Sequence, residues 1–200
     1  MLNHALLAFL VFNTSLILAQ PNIVFIFADD LGAGDVGAFG GEMIKTPNID
    51  ALAANGVAFD QAYASHPVCS PSRAGLMTGR YQQRHGWEDN PAGLIETSGM
   101  DAEQITVADV LKNAGYKTSM VGKWHLGYLP QFHPLSRGFD EYFGVLAGGS
   151  IFVDQSRPGV ESIGGWPRVR DRLRGVYDGV KLVQVDEYLT DAFTNRATEF

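Results

Sequence analysis

The alternation of apolar and polar stretches divides the chain into short elements. Asn22-Ile23-Val24-Phe25-Ile26-Phe27-Ala28 is an unbroken apolar run of strand length. Continuous rather than alternating hydrophobicity predicts a central strand covered on both faces. The run stops at Asp29-Asp30, followed by the glycine-rich Leu31-Gly32-Ala33-Gly34. Thr46 to Gly56 predicts a helix. Thr46 caps it, Pro47 takes the first position, Asp50 favours the first turn and Gly56 ends it. Ile49, Leu52 and Ala53 form its inward stripe. Val57 to Tyr63 then reads as a strand. Cys69 to Arg80 reads as a turn and a short helix, with Pro71 in the first turn and Gly79 at the stop. Thr106 to Ala114 is the next helix, capped by Thr106 and stopped by Gly115, with Val107, Val110 and Leu111 on its apolar face. Tyr116 to Val121 and Val180 to Val185 read as strands. Thr190 caps a last helix that runs from Asp191 to the end. Internal repeats and low-complexity segments are absent from the sequence.

Composition narrows the picture. The 200 residues can bury one sizeable core, and 46% hydrophobic content is that of a globular chain. Twenty-three glycines fit many tight turns. A formal charge of -7 argues against nucleic-acid binding, which needs a basic face. The single cysteine excludes an internal disulfide.

Residues 1–19 are apolar but interrupted by Asn3, His4, Asn13, Thr14 and Ser15, with Ala19-Gln20 as a cleavage point. This predicts a signal peptide, although its start carries neither Lys nor Arg. An uncleaved anchor or a buried helix is the alternative reading. The expectation is therefore an exported chain, periplasmic or secreted, with no stable membrane span after cleavage.

The candidate chemistry gathers at three places. Cys69 stands just ahead of the predicted N-terminus of a helix, where positive partial charge favours an anion, and Arg73 follows about one turn on. That pattern fits a nucleophile, but taken alone a free cysteine is more often a small core residue. Asp29 and Asp30 follow the carboxyl end of a predicted strand, where α/β sheets bind ligands. They read equally as ligands of a hard divalent cation or as a solvated turn. Lys123 and His125 follow the strand that begins at Tyr116. In an extended segment they point to one side, a lysine to neutralise an anion and a histidine to bind or transfer a proton. Without further context an exposed lysine and a buried histidine are the simpler reading. Outside these places, His66 and His85 read as structural, and Arg168, Arg170, Arg172 and Arg174 recur every second residue. On a strand those four share a face, fit to hold an anionic substrate, but a charged edge that resists aggregation is the simpler account.

Cys69-Ser70-Pro71-Ser72-Arg73, followed by Leu76-Met77-Thr78-Gly79-Arg80, resembles the first signature of the type I sulfatases. Gly115-Tyr116-Lys117-Thr118, leading to Gly122-Lys123-Trp124-His125-Leu126-Gly127, resembles the second. Ser136 to Gly144 is similar to another recurrent segment of the family, and Pro21-Asn22-Ile23 through Asp29-Asp30 is similar to its opening. The resemblance runs from Pro21 onward and is weakest after Ser150.

It implies an α/β sandwich of the alkaline-phosphatase type, with a mostly parallel central sheet flanked by helices. It implies sulfate-ester hydrolysis, with sulfated carbohydrates as the expected substrates. A phosphonate or phosphate monoester hydrolase, or an inactive sulfoglycan-binding fragment, is the alternative. Cys69 is implied to be matured to formylglycine, whose hydrate attacks sulfur, by a formylglycine-generating or an anaerobic sulfatase-maturing enzyme. Asp29, Asp30 and the matured Cys69 are implied to bind calcium, with magnesium as the alternative. Arg73, Lys123 and His125 are implied to be catalytic, and Lys123 and Ser150 to touch the substrate. Full-length members carry a further Asp-Asn metal pair, a histidine and a second lysine, none of which has a match before Phe200. The expectation is thus an N-terminal portion, residues 21–200, of a longer catalytic domain.

Overall fold

The computed structural model describes residues 20–91, 97–153 and 174–200. The predicted signal peptide and the arginines at 168, 170 and 172 lie outside them. Two compact units are present, Met1–Val57 and Ala58–Phe200.

In the first unit, α1 spans Pro47–Asn55, with proline at its first position as its φ allows. Thr46 does not cap it through a helix amide. Its hydroxyl instead accepts from the Gly37 amide at 2.8 Å and donates to Asp50 Oδ1 at 2.9 Å. The same Asp50 oxygen accepts from Ala38 at 2.8 Å, so one carboxylate ties the turn at Gly37–Phe39 to the helix. The apolar stripe is not inward here: Ile49 is 44% and Leu52 67% exposed.

Residues 22–28, expected as a central strand, carry no strand assignment and are exposed. A strand needs a partner for its backbone N–H and C=O groups, and no other strand is described in this unit. Residues 57–63, likewise expected as a strand, carry none either and are exposed along their length.

The second unit carries the sheet, in the order β1 (Ser119–Lys123), β2 (Glu141–Val145), β3 (Val176–Asp178), β4 (Lys181–Val183). The β1–β2 pairing is parallel, and β2–β3–β4 continues antiparallel. These strands therefore form a mixed sheet rather than a mostly parallel one, because a two-residue turn at Gly179-Val180 permits only an antiparallel return. Gly122 pairs with Gly144. A Cβ on Gly144 would lie 1.9 Å from the Gly122 carbonyl oxygen, and Gly122 itself has φ of 108°. Glycine at both positions thus admits the close approach of the two strands and the positive φ.

Two helices precede the sheet in the chain. In α2 (Cys69–Thr78), Gly79 ends the helix in the left-handed conformation, as expected. In α3 (Val107–Asn113), Thr106 and Asp109 form a reciprocal capping box, Oγ1 accepting from the Asp109 amide at 3.1 Å and Oδ2 accepting from the Thr106 amide at 2.9 Å. The buried residue of α3 is Ala108, while Val107 and Val110 are 47% and 56% exposed. The expected apolar face of this helix is therefore turned outward. The last helix, α4, spans Leu189–Glu199 with Tyr188 at its N-cap. Thr190 lies inside it and does not cap it, because the helix starts two residues earlier than the polar pattern implies.

The main core joins Ala74 of α2 to Met100, Trp124, Leu126, Tyr142 and Leu146. Burying each large side chain contributes roughly 1.5–3 kcal/mol. Trp124 also donates from Nε1 to the Phe132 carbonyl at 2.8 Å, so its one polar atom is satisfied. This core sits directly behind the residues of the two signatures.

Candidate functional site

Cys69 is the first residue of α2, with Val68 in extended conformation as N-cap. His66 shapes the approach, its Nδ1 accepting from the Val68 amide at 3.1 Å. Cys69 is partly exposed, whereas Ser70, Pro71 and Ser72 behind it are buried. The helix thus presents its positive end and the Cys69 side chain at the surface while its shoulder is packed.

Several ties hold that shoulder to the second signature. The Ser70 hydroxyl, fully buried, donates to the His125 carbonyl at 2.5 Å and accepts from Trp87 Nε1 at 2.8 Å. The Arg73 guanidinium donates from Nη1 to the Lys123 carbonyl. The structure therefore brings Cys69, Arg73, Lys123 and His125 into one neighbourhood from points 50 and 55 residues apart.

Lys123 and His125 do not continue an extended strand as expected. β1 stops at Lys123, and the next two amides, of Trp124 and His125, donate to the consecutive carbonyls of Val145 and Leu146 at 2.9 and 3.1 Å. A regular parallel strand bonds a given neighbour only at alternate residues. His125 has φ of 61°, a left-handed backbone that non-glycine residues seldom adopt. Trp124, His125 and Leu126 are all buried as a result. Such strain persists where the surroundings over-determine it, and it clusters at functional sites.

The His125 ring is seated against Gly148, where a Cβ would lie 2.5, 2.6 and 3.1 Å from three imidazole atoms. Two residues on, Ser150 donates from Oγ to the Arg174 carbonyl at 2.5 Å, pinning the loop to the segment that enters β3. Tyr142, on β2, is 1% exposed. Burial pushes its phenol well above the ordinary value, against the opposing pull of the Arg73 charge. His85 is lowered from 6.5 by burial first and by the Arg80 charge second, which keeps it neutral near pH 7.

Asp29 and Asp30 stand in the first unit, both exposed, and Asp30 has φ of 58°. They are adjacent carboxylates on a sharply turned backbone. Among the described residues, no group of three His, Cys, Asp or Glu converges as a metal site. No described helix is long and apolar enough to cross a membrane.

Four site residues were not legible in the sequence. Ser70 and Trp87 form the tie beneath Cys69. Asn90 accepts from the Ser70 amide at 2.9 Å, with Nδ2 3.9 Å from Cys69 Sγ. Gly148 supports the imidazole. The two strained backbone positions, Asp30 and His125, both fall on residues already singled out, but nothing in residue spacing announces strain.

A ten-residue helix thus starts at a partly exposed cysteine and is tied, through Ser70 and Arg73, to the backbone carbonyls of His125 and Lys123. The sulfatase family model matches residues 21–200, and the chain belongs to that family. It is 46% identical over 132 residues to human N-acetylgalactosamine-6-sulfatase, covering 62% of this chain and 25% of that protein. It is 44% identical over 138 residues to human steryl-sulfatase, covering 64% and 24%. The chain thus spans about a quarter of the length of these curated relatives. Among solved structures, that of Ps i-CgsB superposes with a TM-score of 0.81 at 40% identity, over 90% of this chain and 41% of the other. A protein solved with its substrate D-glucosamine-2-N,6-O-disulfate superposes with a TM-score of 0.69 at 31% identity, over 90% of this chain and 31% of the other. These likenesses establish the alkaline-phosphatase-like α/β fold.

Proposed function

We propose that this chain is part of an exported enzyme that hydrolyses sulfate esters of carbohydrates. The observation that carries the reading is the joining of the Cys69–Arg73 turn to Lys123 and His125 through the Ser70 and Arg73 hydrogen bonds. The relatives solved with neocarrahexaose and with a disulfated glucosamine support a sulfated-glycan substrate.

Two groups absent from the sequence complete this proposal. Cys69 fits conversion to formylglycine, because its side chain is partly exposed at a helix N-terminus and has an amide donor beside it. Asp29 and Asp30 fit a hard divalent cation such as calcium by donor chemistry, supplying two of the six to eight oxygens such an ion takes. When present, formylglycine supplies a hydrated aldehyde as nucleophile and the cation supplies Lewis acidity.

The chain's own residues have definable tasks. The N-terminus of α2 and the Arg73 charge attract the sulfate monoanion and favour its approach. Lys123 neutralises charge that develops on the sulfuryl oxygens. His125, held by its backbone on both sides, keeps an imidazole in place to hold or move a proton.

The test is made on the whole protein that carries this chain, expressed in a host able to mature it. A peptide spanning residues 60–84 is expected to show a loss of about 18 Da at Cys69, the change from thiol to aldehyde. The same preparation is expected to turn over an aryl sulfate faster than an aryl phosphonate. A matured protein that cleaves the phosphonate and leaves sulfate esters intact overturns the assignment.

A further inference from the structure

Asn90 is exposed and stands 21 residues beyond Cys69, outside both signatures. Its amide makes two contacts at the start of α2. Oδ1 accepts from the Ser70 amide at 2.9 Å, and Nδ2 points at Cys69 Sγ at 3.9 Å. The first contact fixes the second. A backbone N–H can only donate, so the oxygen must face Ser70 and the NH2 must face Cys69. The side chain therefore does more than satisfy an orphan amide of the helix start. It presents a neutral donor to whichever atom occupies the γ position of residue 69.

We propose that Asn90 is a further catalytic residue, a hydrogen-bond donor to the γ-oxygen of the matured Cys69 that sets the orientation of the nucleophile. The proposal rests on the sulfatase reading above. A neutral donor is chemically suited to the place. It can bond an oxygen without adding a charge that would compete with Arg73 for the sulfate. Asn90-Pro91 also stiffens the loop at this point, because a residue before proline is held to extended conformations.

Asparagine to aspartate separates the two contacts. Aspartate keeps the acceptor for the Ser70 amide and suits a helix N-terminus at least as well. It loses the donor. In the matured whole protein, Asn90→Asp is expected to lower kcat on an aryl sulfate by about 10-fold or more, with the melting midpoint held and Cys69 conversion unchanged by mass. Retention of full kcat overturns the proposal and leaves Asn90 as a helix cap only.

A second measurement needs no turnover. In unmatured protein, Asn90→Ala is compared in the Cys69→Ser and Cys69→Ala backgrounds. Loss of the cap is common to both and cancels, so the difference isolates the contact between positions 69 and 90. The midpoint is expected to fall by about 2 °C more in the Cys69→Ser background, the size of one modest hydrogen bond. Equal falls in the two backgrounds overturn the contact. If the wild type proves inactive on every sulfate ester, the functional reading fails, while this comparison still reports on Asn90.

Discussion

Ser70→Ala tests how the two signatures are held together. The hydroxyl is fully buried and uses both its donor and its acceptor capacity, toward the His125 carbonyl at 2.5 Å and from the Trp87 indole at 2.8 Å. Alanine fills nearly the same space but leaves a carbonyl and an N–H to find other partners. Each buried group left unsatisfied costs about 1–3 kcal/mol. Partial relaxation of the indole lowers the sum, so the expected loss is about 2–4 kcal/mol. The left-handed backbone at His125 costs roughly a further 1–2 kcal/mol wherever it occurs, and the Ser70 bond is one of the contacts that offset it. Removing the bond should free His125 to relax and lower kcat as well as stability. The assay is urea denaturation of the whole protein, with Trp87→Phe and the double variant alongside. Trp87→Phe removes the indole donor, so Ser70→Ala should cost less in that background than in the wild type. A loss below about 0.5 kcal/mol, or strict additivity of the two substitutions, would refute the assignment of Ser70 as a shared partner.

Two more expectations follow from single contacts. Gly148→Ala places a methyl within 2.5 Å of the His125 ring, so the imidazole must shift; overpacking of this kind costs about 1–3 kcal/mol, and kcat/KM on an aryl sulfate is expected to drop by about 10-fold or more, a displaced catalytic group losing its geometry. Unchanged kinetics would show that the ring position carries no function. Asp140 is held down from 3.8 to about 2, first by its Lys112 partner and then by the Thr118 amide. A lowered carboxyl contributes stability that is fully present above the unfolded value and is lost as pH falls through the folded one. Between pH 3.8 and about 2 the wild type should therefore lose stability more steeply than Asp140→Asn, as read by denaturation across that range; parallel curves would remove this carboxylate from the acid response.

What the sequence disclosed about this molecule was mostly local. The Gly79 stop, the Thr106 cap and Pro71 in the first turn of α2 each depend on a few neighbouring residues, and each is where the pattern placed it. The chemical residues Cys69, Arg73, Lys123 and His125 were legible as two signatures, and the fold brings those signatures together. The backbone that joins them was not legible. The two-residue spacing predicted an extended Lys123–His125, whereas β1 ends at Lys123 and the left-handed His125 is fixed by partners 55 residues back and 21 residues ahead. Strands failed for a related reason. Residues 22–28 have the composition of a buried strand, but composition records a preference for burial and a strand is a relation to a partner. Within its own unit that run meets no other described strand. The outward Val107 and Val110 of α3 make the same point for helices.

The same distinction explains why Asn90 escaped a reading by motif. The proposed nucleophile has its identity set by short-range sequence, since Cys69 and Arg73 lie four residues apart and so share the first turn of the helix. Its orientation can be set by any chain segment that reaches the helix end. The orphan amides there recruit an acceptor from wherever the fold supplies one, and an asparagine that accepts from Ser70 necessarily turns a donor outward beside residue 69. Capping and catalysis are thus coupled through one planar amide. Substitutions at Asn90 should accordingly separate into those that preserve the acceptor and those that preserve the donor, with stability following the first and kcat the second.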